Sequence, residues 1–486
     1  MALAEEPHAV GAENEDDAAD RGAGEGGSEE EEIPEMLDLI DAAEETGEDA
    51  AALAAIIRNI GRRIRATPGD RDLLSDFEGI PNICKALAGP PHEWQGDAML
   101  AFCRVMPDVC KQSTVNRGSL RDAGFVAAVV EVLRSALFAG DEAATLAASI
   151  ALSAVCTAND GNKKAAAQLV VAVSIEVPEG ADGTEQAAAV EYKAPEKSGA
   201  LVLLLDALGQ FPESATVQTE AISALRALLT DDDTRKADCQ PSAVDNREVA
   251  TSDAGFPFFG VAVERALAMV DASDKPMVKL HEQSLLLLRE LARRQDRVQA
   301  LALDAKLLKR AQSAVEAQDP RVVRAGLAVL RTFSIIEEVR DEIGFMTDGA
   351  QRCLFAVRKH LATAAVCEAG FGLFANLTMR KSPITGRLCD CEPGIIGLGL
   401  AVLRQHRDRP DLNRSTVHTL RNVASQEEAA STEVKESDIF EEVRKLVLEH
   451  ESDPRWKAAV DISRQFLREF RADAGMEKKA EYNQFY

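Results

Sequence analysis

The side chains of this 486-residue chain that could carry covalent or metal chemistry are few and scattered. Seven histidines stand at positions 8, 92, 281, 360, 406, 418 and 450, and none lies at zinc-ligand spacing from a pair of cysteines. Nine cysteines stand at 84, 103, 110, 156, 239, 353, 367, 389 and 391. Only Cys389-Asp390-Cys391 brings two close together, and without a second pair beside it that triplet reads as free thiols in a loop. The run Gly22-Ala23-Gly24-Glu25-Gly26-Gly27 has the glycine content of a phosphate cradle but lies in an acidic stretch with no strand before it. Neither a Walker A sequence nor a nucleophile elbow occurs. The expectation is therefore no enzyme, no metal and no cofactor.

Recognition chemistry is better represented. Arginines recur at 104, 226, 289, 331, 421 and 464, each one residue before a variable slot, and the slot is Asn376 in one copy and Asn422 in another. A guanidinium matches a carboxylate or phosphate bidentately, so an acidic peptide is the natural ligand of an arginine stripe. An asparagine offers donors and an acceptor together. Arg226, Arg289, Arg331, Asn376, Arg421 and Asn422 are thus the candidate partner-binding residues. The alternative stands beside this: such arginines often pair with Asp or Glu on neighbouring repeats, and the two amides could bond neighbouring repeats or water.

A repeated helix must position these residues. The arginines sit in one recurring phrase: an apolar residue, often Arg, a variable slot, then another apolar residue. It reads Leu225-Arg226-Ala227-Leu228, Leu288-Arg289-Glu290-Leu291, Leu330-Arg331-Thr332-Phe333, Phe374-Ala375-Asn376-Leu377, Leu420-Arg421-Asn422-Val423 and Ser463-Arg464-Gln465-Phe466. Looser copies are Cys103-Arg104-Val105-Met106 and Leu152-Ser153-Ala154-Val155. The steps between the last five copies fall between 42 and 46 residues, the period of armadillo or HEAT arrays. A second marker keeps the same register: Gly79, Gly124, Gly199, Gly255, Ala305, Gly349, Gly394 and Asp438 each precede an apolar run. Gly there suits a tight turn needing φ > 0 or close backbone approach. In one copy Ile222, Leu225, Leu228 and Leu229 fall at helical spacing as the buried stripe, which turns Ala227 outward into a groove. An aromatic content of only 5% agrees, since Ala, Leu and Val suffice for helix contacts.

Charge divides the chain. Residues 1–50 hold 19 Asp or Glu against one basic residue, Arg21, so most of the net −26 is a tail. Residues 1–35 are expected to be a disordered acidic tail, 36–470 the solenoid, and 471–486 a C-terminal tail. Polar insertions are expected near 176–199 and 231–252. An acidic body disfavours nucleic acid and anionic lipid, and no run is long and apolar enough to cross a membrane. Scattered cysteines in odd number fit a cytoplasmic or nuclear protein with reduced thiols. In the first helical stretch, Leu53, Ile56, Ile60 and Ile64 make an apolar stripe, with Arg58, Arg62, Arg63 and Arg65 on the remaining surface. Either the acidic tail folds back on this basic cluster or it stays solvated.

Over roughly residues 70 to 470 the chain resembles the armadillo-repeat family, and within it the armadillo repeat-containing protein 6 group. The resemblance rests on Ala224-Leu225-Arg226 through Asp231-Asp232-Asp233 and Arg235, on Val366-Cys367-Glu368 leading to Arg380-Lys381, and on Leu420-Arg421-Asn422. It implies a right-handed superhelix of about eight repeats that binds other proteins, with Asn376 and Asn422 able to pair with an extended peptide backbone. Nuclear-import adaptors of this fold place a Trp four residues before that Asn; here the positions hold Gly372 and His418, which disfavours nuclear-signal binding. The expected fold is thus all-α, an armadillo-type α-solenoid. The expected function is a non-enzymatic interaction scaffold or adaptor, with an extended or acidic partner segment in its concave groove. Alternatives are a co-chaperone or assembly factor for protein clients, or a structural component of a larger complex.

Overall fold

The computed structural model describes residues 34–46, 49–88, 96–167, 199–231, 241–252, 255–293, 301, 304–345, 349–379, 384–391 and 394–471. The tails at 1–33 and 472–486 and the insertion expected near 176–199, up to residue 198, lie outside the described residues. Every described element is an α-helix or a short 3-10 turn. The chain divides into two units, Met1–Glu290 and Leu291–Tyr486.

Both units repeat the same three-helix pattern. In the first, the third helices Ala50–Ala66, Gly96–Cys110, Glu142–Cys156 and Ala215–Leu229 each pack on the next. Val278–Leu291 follows, its Lys279 ammonium 2.7 Å from Glu220 on Ala215–Leu229. In the second, Pro320–Phe333, Ala364–Leu377, Pro410–Ala424 and Lys457–Arg471 stack in the same way. A first and a second helix separate successive third helices, as Thr114–Asp122 and Phe125–Ala139 do. Each unit is therefore an all-α armadillo-type stack.

Local sequence sets where each third helix starts. Asp141 accepts from the Ala144 amide at 3.0 Å, Ser214 from Val217 at 3.3 Å and Asp319 from Arg321 at 2.8 Å, satisfying donors that the first turn leaves open. Pro320 and Pro410 take the first helical position, where no amide hydrogen is needed. The second helices start where the glycine marker places them. Gly79, Ala305 and Gly349 are first residues, while Gly124, Gly199, Gly255, Gly394 and Asp438 immediately precede the helix. At Gly124 the backbone has φ +79°, which any side chain would strain. At Gly255 an added Cβ would lie 2.2 Å from the Val249 carbonyl oxygen.

The buried stripe is as expected in Ala215–Leu229, where Ile222, Leu225, Leu228 and Leu229 are all fully buried. Each contributes roughly 1.5–3 kcal/mol by leaving water. Ala227 departs from expectation: it is buried, not groove-facing, and Pro241–Thr251 packs against this same helix. Of the insertion expected near 231–252, residues 232–240 lie outside the described residues, and 241–251 form this helix. Residues 241–251 are the first helix of a repeat, fixed by Asn246, whose amide donates to the Leu228 carbonyl at 3.1 Å. In Ala50–Ala66 the stripe runs Leu53, Ile57, Ile60 and Ile64, with Ile57 in place of Ile56.

Candidate functional site

Register comes from helix starts. In six third helices the phrase begins at the eleventh residue: Leu152, Leu225, Leu288, Leu330, Phe374 and Leu420. The same count gives Ile60 in Ala50–Ala66 and Met106 in Gly96–Cys110. One of the copies read from the sequence is therefore one turn early. The phrase in Gly96–Cys110 is Met106-Pro107-Asp108-Val109. In the last repeat the turn opens at Pro454, where Asp453 accepts from the Arg455 amide at 3.0 Å, and Ser463 and Phe466 are fully buried. Hydrogen bonds agree, since buried asparagines in successive first helices all reach the fourth residue of a phrase. Asn116 donates to Val109 at 2.9 Å, Asn162 to Val155 at 2.7 Å and Asn246 to Leu228. Asn116 and Asn162 also donate to the carbonyls of Arg71 and Arg117, 45 residues back in each case. These three asparagines went unremarked in the sequence; their signal was a polar residue inside an otherwise buried turn.

The two slot asparagines are tied to the preceding repeat. Asn376 Nδ2 donates to the Arg331 carbonyl at 3.0 Å and to Ser334 Oγ at 3.1 Å. Asn422 Nδ2 donates to the Ala375 carbonyl at 3.5 Å and to Thr378 Oγ1 at 3.4 Å. Arg331 and Ala375 are the second residues of their phrases, and Ser334 and Thr378 the fifth, so the pattern repeats one phrase on. The amide protons that an extended peptide would use are committed to the stack.

Arg421 forks onto Glu469 of the next third helix, Nε to Oε2 and Nη2 to Oε1 both at 2.6 Å. That hydrogen bond, foremost, holds the Glu469 carboxyl below its usual range. Arg331 lies over Gly372, where an added Cβ would come within 2.8 Å of its Nε. The position that import adaptors fill with Trp is thus covered by a guanidinium. Near Arg331, burial first and Asp411 second push the Glu368 carboxyl up, against the pull of Arg331, Arg409 and Arg324. Arg226 and Arg289 are half-buried on the third helices of the first unit. Six of the candidate residues therefore stand on third helices, and three of them, Asn376, Arg421 and Asn422, are held in bonds between repeats.

A different cationic face lies at the start of the first unit. Arg58, Arg62 and Arg65 follow one another at helical spacing on Ala50–Ala66, and all three are exposed. On the neighbouring third helix, exposed Arg104 and half-buried Asp108 are one turn apart. Arg65 Nη1 meets Asp108 Oδ2 at 2.6 Å, which joins the two faces, and a Cβ on Gly61 would touch Val105 at 2.6 Å, which fixes how the helices mesh. Arg58, Arg62 and Arg104 share the surface so defined, and none of them makes a hydrogen bond or ion pair among the described residues. Arg58 and Arg104 occupy the ninth position of their helices, the same position as Gly372 and His418. Arg104 was in the sequence series of arginines, and Arg58 and Arg62 were in the basic cluster read on the first helical stretch.

No group of His, Cys, Asp and Glu among the described residues is arranged to hold a metal ion. Burial pushes the thiols of Cys84, Cys103, Cys110, Cys353, Cys367 and Cys389 up to about 12, which keeps them protonated and unreactive. No described helix is long and apolar enough to cross a membrane.

No protein-family model matches the chain, and no curated protein sequence does. A solved structure from work on a phosphorylation switch controlling the interaction between cadherin and beta-catenin is similar at 12% identity and a TM-score of 0.45, covering 91% of this chain and 84% of that one. A likeness that distant carries neither residue roles nor ligands to this chain.

Proposed function

We propose that this chain is a non-enzymatic protein-interaction scaffold that holds an extended acidic segment of a partner protein against the exposed face of its third helices. The observation that carries this reading is the surface shared by Arg58, Arg62 and Arg104. Three exposed guanidinium groups stand there without a carboxylate partner among the described residues, in a chain of net charge −26. Guanidinium forks favour planar oxyanions, and an extended acidic peptide can present carboxylates to two adjacent helices at once. In the second unit Arg421 offers the same chemistry, provided a partner carboxylate takes the place of Glu469. Arg226, Arg289 and Arg331 are further anchors in this reading, while Asn376 and Asn422 keep the repeats in register beneath the peptide.

The test is binding of a fluorescein-labelled deca-glutamate peptide to the full chain, followed by anisotropy at low salt. Arg58→Ala, Arg62→Ala and Arg104→Ala together should weaken binding about tenfold or more, and Arg421→Ala should weaken it less. Each guanidinium contact adds to the salt dependence, so the slope of affinity against salt should fall as well. Unchanged affinity and slope in the triple variant would rule out this face.

A further inference from the structure

We infer that the acidic N-terminal segment of this chain, residues 1–33, is the resident occupant of the Arg58, Arg62 and Arg104 surface, and that a partner must displace it. The inference rests on the reading of that surface as a site for acidic segments. It starts from where the segment ends. Glu35, just past it, already has its carboxylate 2.9 Å from Arg63 Nη2, so the chain enters the fold against Ala50–Ala66 itself. Arg63 is the immediate neighbour of Arg62, and Arg58 is one turn further along the helix. The segment therefore joins the fold at the helix that carries Arg58 and Arg62.

Charge complementarity supplies the second argument. Residues 1–33 carry 12 Asp or Glu against Arg21 as the one basic side chain apart from His8. The surface presents three exposed arginines without a carboxylate among the described residues. A stretch of 33 residues spans up to about 110 Å when extended, so length does not limit contact with both helices. Tethering supplies the third argument. Individual exposed ion pairs are weak and screened by salt, and free acidic peptides would bind such a surface loosely. A segment of the same chain meets it at an effective concentration of order millimolar, which weak contacts can exploit. An external acidic ligand then competes against a permanent one, and affinity depends on how far its carboxylates outnumber or outreach those of the tail.

The experiment is a double-mutant cycle on the full chain with the labelled deca-glutamate probe. One variant neutralises the segment, each Asp→Asn and each Glu→Gln within residues 1–33. A second carries Arg58→Ala, Arg62→Ala and Arg104→Ala, and a third combines both sets; circular dichroism checks that all keep the helical signal. The neutralised chain should bind the probe about tenfold tighter than the unaltered chain at low salt. In the background lacking the three arginines, neutralisation should change affinity less than about twofold. A gain that persists without the arginines would overturn the inference, since the tail would then act through its long-range field alone. No gain on neutralisation, with weaker binding after loss of the arginines, would overturn it too while leaving the surface as a site for partners. Affinity unmoved by either set would overturn both readings.

Discussion

Arg421 and Glu469 face each other across adjacent third helices with both fork bonds at 2.6 Å. Arg421 is the second residue of its phrase, and Glu469 stands on the next third helix. Asn376 likewise reaches the Arg331 carbonyl and Asn422 the Ala375 carbonyl. In these two amide pairs the third residue of a phrase reaches back to the second residue of the phrase before.

Glu469→Gln should lower stability by about 1 kcal/mol or less at neutral pH, since the pair is partly exposed and solvent screens it. Its carboxyl is held low, so its contribution is present above the ordinary carboxylate pKa and is lost as pH falls through the lower folded value. Denaturant unfolding at pH 7 should separate the variant from the parent; at a pH low enough to protonate Glu469 the curves should coincide.

Glu368 should behave in the opposite sense. Its carboxyl is raised, mainly by burial, so the folded chain holds the proton more tightly than the unfolded chain does. Its contribution is therefore favourable at low pH and fades as pH rises through the folded value. Glu368→Gln should melt at a temperature equal to or above that of the parent at pH 7. A clear loss of stability at pH 7 would show that the three arginines around it outweigh burial.

Asn162→Ala removes a fully buried amide that donates to two carbonyls from different helices, Val155 and Arg117. Leaving those acceptors without a partner should lower stability by about 2–4 kcal/mol. Chemical denaturation read by the helical signal would show it, and the loss should far exceed that from Asn422→Ala, whose bonds are 3.4 and 3.5 Å long.

Gly255→Ala should lower stability by about 1–3 kcal/mol, because the added methyl meets the Val249 carbonyl oxygen, a backbone atom with no rotamer to change. Gly118→Ala is the control. Nothing lies within 4 Å of a Cβ there, and alanine in a helix should be neutral or favourable.

The architecture was legible because two independent signals shared a period. The glycine marker was accurate at all eight positions, each at or just before the start of a second helix. The phrase was accurate where its apolar ends were unambiguous, from Leu152 through Leu420. It slipped a turn in Gly96–Cys110, where Pro107 and Asp108 break the pattern and Cys103-Arg104-Val105-Met106 imitates it. The helix Pro241–Thr251 was missed because a first helix buries few apolar side chains and is held through Asn246. Least legible was the fate of polar groups. Whether Asn376 faces a ligand or a neighbouring carbonyl depends on where the preceding helix ends, which no local pattern records.

The buried asparagines also determine where the chain can vary in length. Asn162 fastens the first helix Asp160–Ala167 to the third helix before it, and the next described helix opens only at Ala200. Between Leu152 and Leu225 the chain uses 73 residues where the step before it, from Met106, uses 46, yet Glu142–Cys156 and Ala215–Leu229 still pack directly on each other. Spacing along the chain and spacing in the stack are thus decoupled at that point. Like a clasp beside a length of slack thread, the asparagine lets sequence accumulate between two helices without shifting the tread on either side.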